Sequence, residues 1–180
     1  MTSLHERGVR STDDEDLLLE RQLCFALSVA ARSVVSAYRP VLEKLDLTHP
    51  QYLVMLALWE ESPRTVRSIG RALAMESATL SPMLKRLEAS GHLTRTRVPG
   101  NARALAVELT PAGRNLRREA LAVPGTMMER LGLTRHQAED LNETMHGIIR
   151  AAGVDLPTGD GRPERAETRS SELHQEGRSR

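Results

Sequence analysis

Between Thr65 and Leu109 the spacing of apolar residues changes twice, and that change admits few folds. Val66, Ile69, Leu73 and Met75 recur at helical steps and predict a short helix from about Thr65 to Ala74. Met75-Glu76-Ser77 breaks the pattern. Leu80, Met83, Leu84 and Leu87 then resume it on a second helix from Ala78 to Ser90. Gly91 is placed to end that helix in the left-handed conformation. Pro82 removes an amide donor; it is harmless if Ser81 caps the regular part of the helix, and bends the first turn otherwise. Beyond Gly91 the period drops to two. Leu93–Val98 and Arg103–Leu109 read as strands, and Pro99-Gly100-Asn101-Ala102 joins them as an antiparallel hairpin.

Short helix, tight turn, helix and two-stranded hairpin is the order of a winged helix-turn-helix. Charge supports that reading. The whole chain is almost neutral at +1, yet Arg64 to Arg118 holds eleven Lys and Arg against three Asp and Glu. A basic section on an acidic body suits a protein that grips nucleic acid. Ser77, Thr79 and Ser81 fall where a recognition helix enters the major groove, and their hydroxyls suit phosphates or base edges. Lys85 and Arg86 lie about a turn further on, with Lys85 assigned to phosphate. Arg95 and Arg97 alternate onto one strand face of the wing. All five sites, with Arg95 and Arg97, are candidate DNA contacts.

The flanks are helical. Leu17, Leu18, Cys24, Leu27, Ala31, Val34, Val35 and Tyr38 make a stripe from Asp16 that Pro40 interrupts. Thr48 caps a second helix with Pro50 in its first turn, and Tyr52 to Trp59 is apolar almost all round, so that helix is expected to be buried. Thr110-Pro111 opens a helix to about Leu121; helical pattern returns from Met127 to Leu131 and from Thr134 to Ala151. Aromatics are only 2 % of the chain, so its core rests on Leu, Val, Ala and Met, which favours helices. The long terminal helices lack a second layer within one chain, and their apolar faces are expected to meet a second copy. The fold expected is mainly α with a small β-hairpin wing. Residues 1–15 and 153–180 read as disordered around a domain at 16–152. Within it the winged helix-turn-helix spans about 62–110, and dimerisation helices span about 16–60 and 111–152. No apolar run is long enough for a membrane span and no signal segment opens the chain, so a cytoplasmic location is expected.

Several segments appear in a familiar order: Gln22-Leu23-Cys24-Phe25, Tyr38-Arg39-Pro40, Thr48-His49-Pro50-Gln51-Tyr52, Leu80 to Glu88, Leu109-Thr110-Pro111-Ala112-Gly113 and Val123-Pro124-Gly125-Thr126. Together, from Leu17 to Ala152, they resemble the MarR family of winged-helix repressors, specifically its organic-hydroperoxide-sensing, one-cysteine branch. The resemblance implies a homodimer on a pseudo-palindromic double-stranded DNA operator, released when an organic hydroperoxide oxidises the sensor. By position Cys24 is that sensor, and Tyr38 donates a hydrogen bond to it across the dimer interface. Phe25, Ser28, His49 and Tyr52 complete the implied pocket. His49 stands where the branch has a second tyrosine, and Ser28 where some relatives have an aromatic ring. Arg103 matches the family's minor-groove arginine. Asn101 and Ala102 replace acids that brace the wing in relatives, so a looser wing is expected.

The chemistry follows from sulfur. Peroxides attack thiolate, and a free thiol titrates near pH ~8.5, so a sensor must stabilise the anion. Tyr38 can donate one hydrogen bond; His49 can donate another, or as imidazolium supply positive charge. Oxidation gives a sulfenic acid. Cys24 is the chain's only cysteine, so the next step is a mixed disulfide with a small cellular thiol, a cyclic sulfenamide or over-oxidation. Two other readings stand beside this one. In the first, Cys24 is structural and a small aromatic ligand relieves the repressor. In the second, remote one, the chain is a cysteine peroxidase, which would need a resolving thiol or reductant and an activating arginine. Arg21 and Arg32 flank Cys24 without forming such a motif, so no enzyme is expected. His5, His92, His136 and His146 are scattered without ligand spacing, so neither metal nor cofactor is expected.

Overall fold

The computed structural model describes residues 15–98 and 101–156, without the side chains of residues 98 and 101–104. Of the ends expected to be disordered, 1–15 and 153–180, residues 1–14 and 157–180 lie outside it, as does the Pro99-Gly100 segment, whereas Glu15 and residues 153–156 are described. The helices are α1 (Leu23–Leu42), α2 (His49–Glu60), α3 (Val66–Ala72), α4 (Ser77–Ala89), α5 (Pro111–Ala120), α6 (Val123–Leu131) and α7 (Arg135–Ala151). The strands are β1 (Arg64–Thr65), β2 (Leu93–Val98) and β3 (Asn101–Leu109). No helix among the described residues is long and apolar enough to cross a membrane.

α1 differs from its expected bounds at both ends. Its start is Leu23, because Gln22 is extended and a short 3-10 turn, Leu19–Arg21, precedes it. The Gln22 side-chain amide donates back to the carbonyls of Asp16 and Leu18, which fastens that turn. Pro40 does not interrupt α1, which runs on to Leu42. Leu42 is fully buried; its anchoring in the core outweighs the one backbone bond a late proline removes. The caps are as read. Gln51 Oε1 accepts from the Thr48 amide at 2.8 Å and hydroxyl at 2.7 Å, and the Thr110 hydroxyl accepts from Gly113 N–H at 3.1 Å.

Tyr52, Val54, Met55 and Leu58 of α2 are buried at the centre of the core, against Ile69 of α3 and Leu80, Leu84 and Leu87 of α4. Pro82 sits inside α4 and not in its first turn; Glu76 is the N-cap, while the Ser81 hydroxyl donates to the Ser77 carbonyl at 2.8 Å. Gly91 closes α4 at φ 76°, with His92 N–H bonded to the Leu87 carbonyl at 3.0 Å. The hairpin pairs Leu93 with Leu109, Arg95 with Val107 and Arg97 with Leu105. β1 adds an unexpected third strand: Arg64 pairs with Val107, giving the order β1-β3-β2. Two residues carry no periodicity, so only the partner strand reveals them.

The two ends of the chain are built differently. α7 has no buried residue, and of α1 only Leu42 is buried. Leu23, Phe25, Val29, Val35 and Leu141 are exposed apolar side chains on these helices.

Candidate functional site

Cys24 is the second residue of α1 and its thiol is exposed. Phe25, the next residue, and Ser28, one turn on, are also exposed. Tyr38 is fourteen positions further along the same helix. Fourteen steps bring a side chain back close to the same helix face, about 21 Å away along the axis. Within one chain, therefore, Tyr38 and Cys24 share a face without meeting.

Tyr38 does meet His49, the first residue of α2, ring to ring at 5.2 Å and edge-on. Tyr38 and Tyr52 follow at 6.1 Å, and Tyr52 and Trp59 at 6.2 Å. The chain has two Tyr and one Trp, and all three stand in this row. Its far end is fixed, since Trp59 Nε1–H donates to the Gly113 carbonyl at 2.9 Å. Burial raises the pKa of the Tyr38 phenol, and burial followed by its neighbour Tyr38 raises that of Tyr52. Both rings thus keep their donor protons. Burial lowers the His49 pKa from 6.5, so near neutrality this imidazole is uncharged and offers an N–H donor, not a cation.

Ser77, Thr79, Ser81, Lys85 and Arg86 are exposed on α4, opposite the buried Leu80, Leu84 and Leu87. Arg97 is exposed on β2. Arg103 lies on β3, with its side chain outside the description. Arg95 behaves differently from Arg97: its guanidinium turns back to Glu88 of α4, Nε to Oε2 at 2.9 Å. The predicted sites thus fall in three places: Cys24, Phe25 and Ser28 at the start of α1, Tyr38, His49 and Tyr52 where α1 meets α2, and the rest along α4 and the wing.

Arg67 and Arg71, not singled out in the sequence, line an open depression with Glu76 and Ser77 at the helix-turn-helix corner. Their signal was the basic excess, which does not say which arginines share a face. Trp59 and Glu88 were also missed, because their partners lie in other elements. Among the described residues no group of three His, Cys, Asp or Glu could hold a metal ion.

Residues 47–105, which run from the turn before α2 into β3, match the MarR family model. The organic hydroperoxide resistance transcriptional regulator of Bacillus subtilis is 42% identical over 129 residues, 72% of this chain and 86% of that protein. The regulator TtmR of Methylorubrum extorquens is 40% identical over 149 residues, 80% of this chain and 76% of its own. Among solved structures, reduced AbfR bound to DNA, a Staphylococcus epidermidis protein, superposes with a TM-score of 0.65 at 34% identity, covering 78% of this chain and 98% of its own. On the order of its elements and these likenesses together, the chain belongs to the MarR family of winged-helix transcriptional regulators.

Proposed function

We propose that this regulator is a homodimeric repressor that leaves a pseudo-palindromic DNA operator when an organic hydroperoxide oxidises Cys24. The observation that carries the reading is the geometry of α1. An exposed thiol in its first turn and the Tyr38–His49 pair near its end lie too far apart to meet within one chain. Two copies of α1 crossing antiparallel would bring each thiol to the other copy's pair. Tyr38 and neutral His49 then each donate a hydrogen bond to the thiolate, and the unsatisfied amides of the α1 N-terminus favour negative charge beside them. Attack on the peroxide breaks the O–O bond; the sulfur takes the terminal oxygen as sulfenic acid, and the alcohol leaves. The name of the Bacillus relative supports the oxidant class. Ser77, Thr79, Ser81, Lys85 and Arg86 would line the major groove, with Arg97 and Arg103 in the wing.

The test exposes parent and Cys24→Ser protein to limiting cumene hydroperoxide, with gel shifts on the DNA upstream of the chain's own gene. Parent releases DNA with one oxygen added at Cys24 by intact mass, and Cys24→Ser stays bound. Equal release by both proteins defeats the redox reading. An open groove of about 510 Å³ favours a second reading, with Tyr52, Leu56, Trp59, Leu73 and Leu121 around it and Arg117 at hand for a carboxylate. There a small aromatic acid would be the effector. Alkylating Cys24 without any ligand separates the two: only a sulfur switch responds.

A further inference from the structure

α4 and the wing are joined through Gly91, and one side chain spans that joint. Glu88, next to last in α4, uses both carboxylate oxygens on a single residue. Oε1 accepts from the Arg95 backbone N–H at 3.1 Å, and Oε2 accepts from Arg95 Nε at 2.9 Å and from Nη2. Holding main chain and guanidinium together fixes both the direction in which β2 leaves the helix and the rotamer of Arg95. Arg95 pairs with the buried Val107 and shares its strand face with the buried Leu93. Its side chain is only 20% exposed. The hydrogen bond from Arg95 also holds the Glu88 carboxyl below its usual 4.5, so the pair stays ionised near neutrality.

We propose that Glu88 and Arg95 are positioning residues: together they set the angle between α4 and the wing, and Arg95 makes no phosphate contact of its own. This brace lies at the base of the wing, not at the tip where Asn101 and Ala102 stand. The inference rests on the reading that the protein binds DNA, and it gives Glu88 a sign opposite to the simple electrostatic expectation. If Arg95 gripped phosphate, Glu88 would compete with DNA for it, and Glu88→Gln would tighten binding. As a brace, Glu88→Gln weakens it.

The experiment measures fluorescence anisotropy over a salt series, on a labelled duplex from upstream of the chain's own gene and on an unrelated duplex. Proteins are parent, Glu88→Gln, Arg95→Gln, Arg95→Lys and the Glu88→Gln/Arg95→Gln double variant. Each single variant is expected to bind the upstream duplex about fivefold more weakly, Lys included, because a lysine ammonium cannot reproduce the fixed pair of Nε and Nη2 donors on Oε2. The double variant should be no weaker than either single one. The slope of log affinity against log salt should not change. Tighter binding by Glu88→Gln, full activity of Arg95→Lys, or a slope reduced by about 0.9 in Arg95→Gln would overturn the proposal. Amide exchange of the free protein supplies a readout without DNA. Faster exchange along β2 and β3 in Glu88→Gln supports the brace, and unchanged exchange overturns it. A parent that binds neither duplex would defeat the DNA-binding reading, a distinct failure that removes the positioning role with it.

Discussion

His49 joins ring packing and proton chemistry in one side chain. It occupies the first position of α2, beside Tyr38, with a pKa held below 6.5 by burial. The unfolded chain therefore takes up a proton at a higher pH than the folded one. Stability from this group is complete above about pH 6.5 and declines as pH falls through that value towards the lowered folded one. In His49→Gln the midpoint of thermal unfolding should vary less between pH 7 and 5, as read by circular dichroism. An unaltered pH slope would mean that the imidazole is solvated like a surface group. The same neutrality bears on sensing: His49→Gln keeps an N–H donor and should retain response to hydroperoxide near neutral pH. A His49→Leu protein, with no donor, should oxidise at Cys24 at least tenfold more slowly, on the order of one lost hydrogen bond to an anion. Stopped-flow loss of thiol checks both.

At the scale of elements, the junction between α2, α5 and the wing carries the most constraint. Trp59 of α2 bonds to the carbonyl of Gly113 on α5, while the Thr110 hydroxyl donates to the Gly91 carbonyl at 2.6 Å. Gly113 has no room for a side chain, since an added Cβ would stand 2.0 Å from the His92 carbonyl oxygen. That atom is backbone and cannot swing aside. Gly113→Ala should destabilise the fold by about 2–3 kcal/mol, in the manner of overpacking, and Trp59→Phe by about 1 kcal/mol for its hydrogen bond. Urea unfolding measures both; a Gly113→Ala protein as stable as parent would show that α5 can slide off the wing base without cost. The row of rings from Tyr38 through Tyr52 to Trp59 ends at this junction.

The whole molecule is unevenly finished. Its centre is packed, with Leu42, Met55, Leu58, Ile69, Leu80, Leu84 and Leu87 almost fully buried. α7 carries Ala138, Leu141, Met145, Ile148 and Ile149 at helical spacing, yet none is buried and Leu141 is 50% exposed. An amphipathic helix gains its stability from covering such a stripe. In a dimer that pairs the terminal helices, Leu141→Glu should raise the dimer dissociation constant by at least tenfold, for loss of roughly one buried leucine. Sedimentation equilibrium reads the shift, and circular dichroism should show α4 and its neighbours still folded. A variant that sediments like parent would place the subunit contact elsewhere.

What the sequence determined by itself was local. Period, break and renewed alternation between Thr65 and Leu109 specified the helix-turn-helix and its hairpin, and Thr48, Thr110 and Gly91 marked ends of elements through hydrogen bonds to residues close by. The likeness of Cys24, Tyr38 and Pro50-Gln51-Tyr52 to one family branch pointed to a sensing chemistry. Tertiary structure decided the rest. Pro40 and Pro82 lie within helices because core packing outweighs a single missing bond, and a propensity cannot weigh that packing. β1 exists only where β3 passes beside it. Arg95 and Arg97 read alike in sequence, yet one is tied to Glu88 and the other is exposed. The reason is common to all three: backbone preference acts over a few residues, whereas a side chain's partner is set by which distant segment the fold brings within reach.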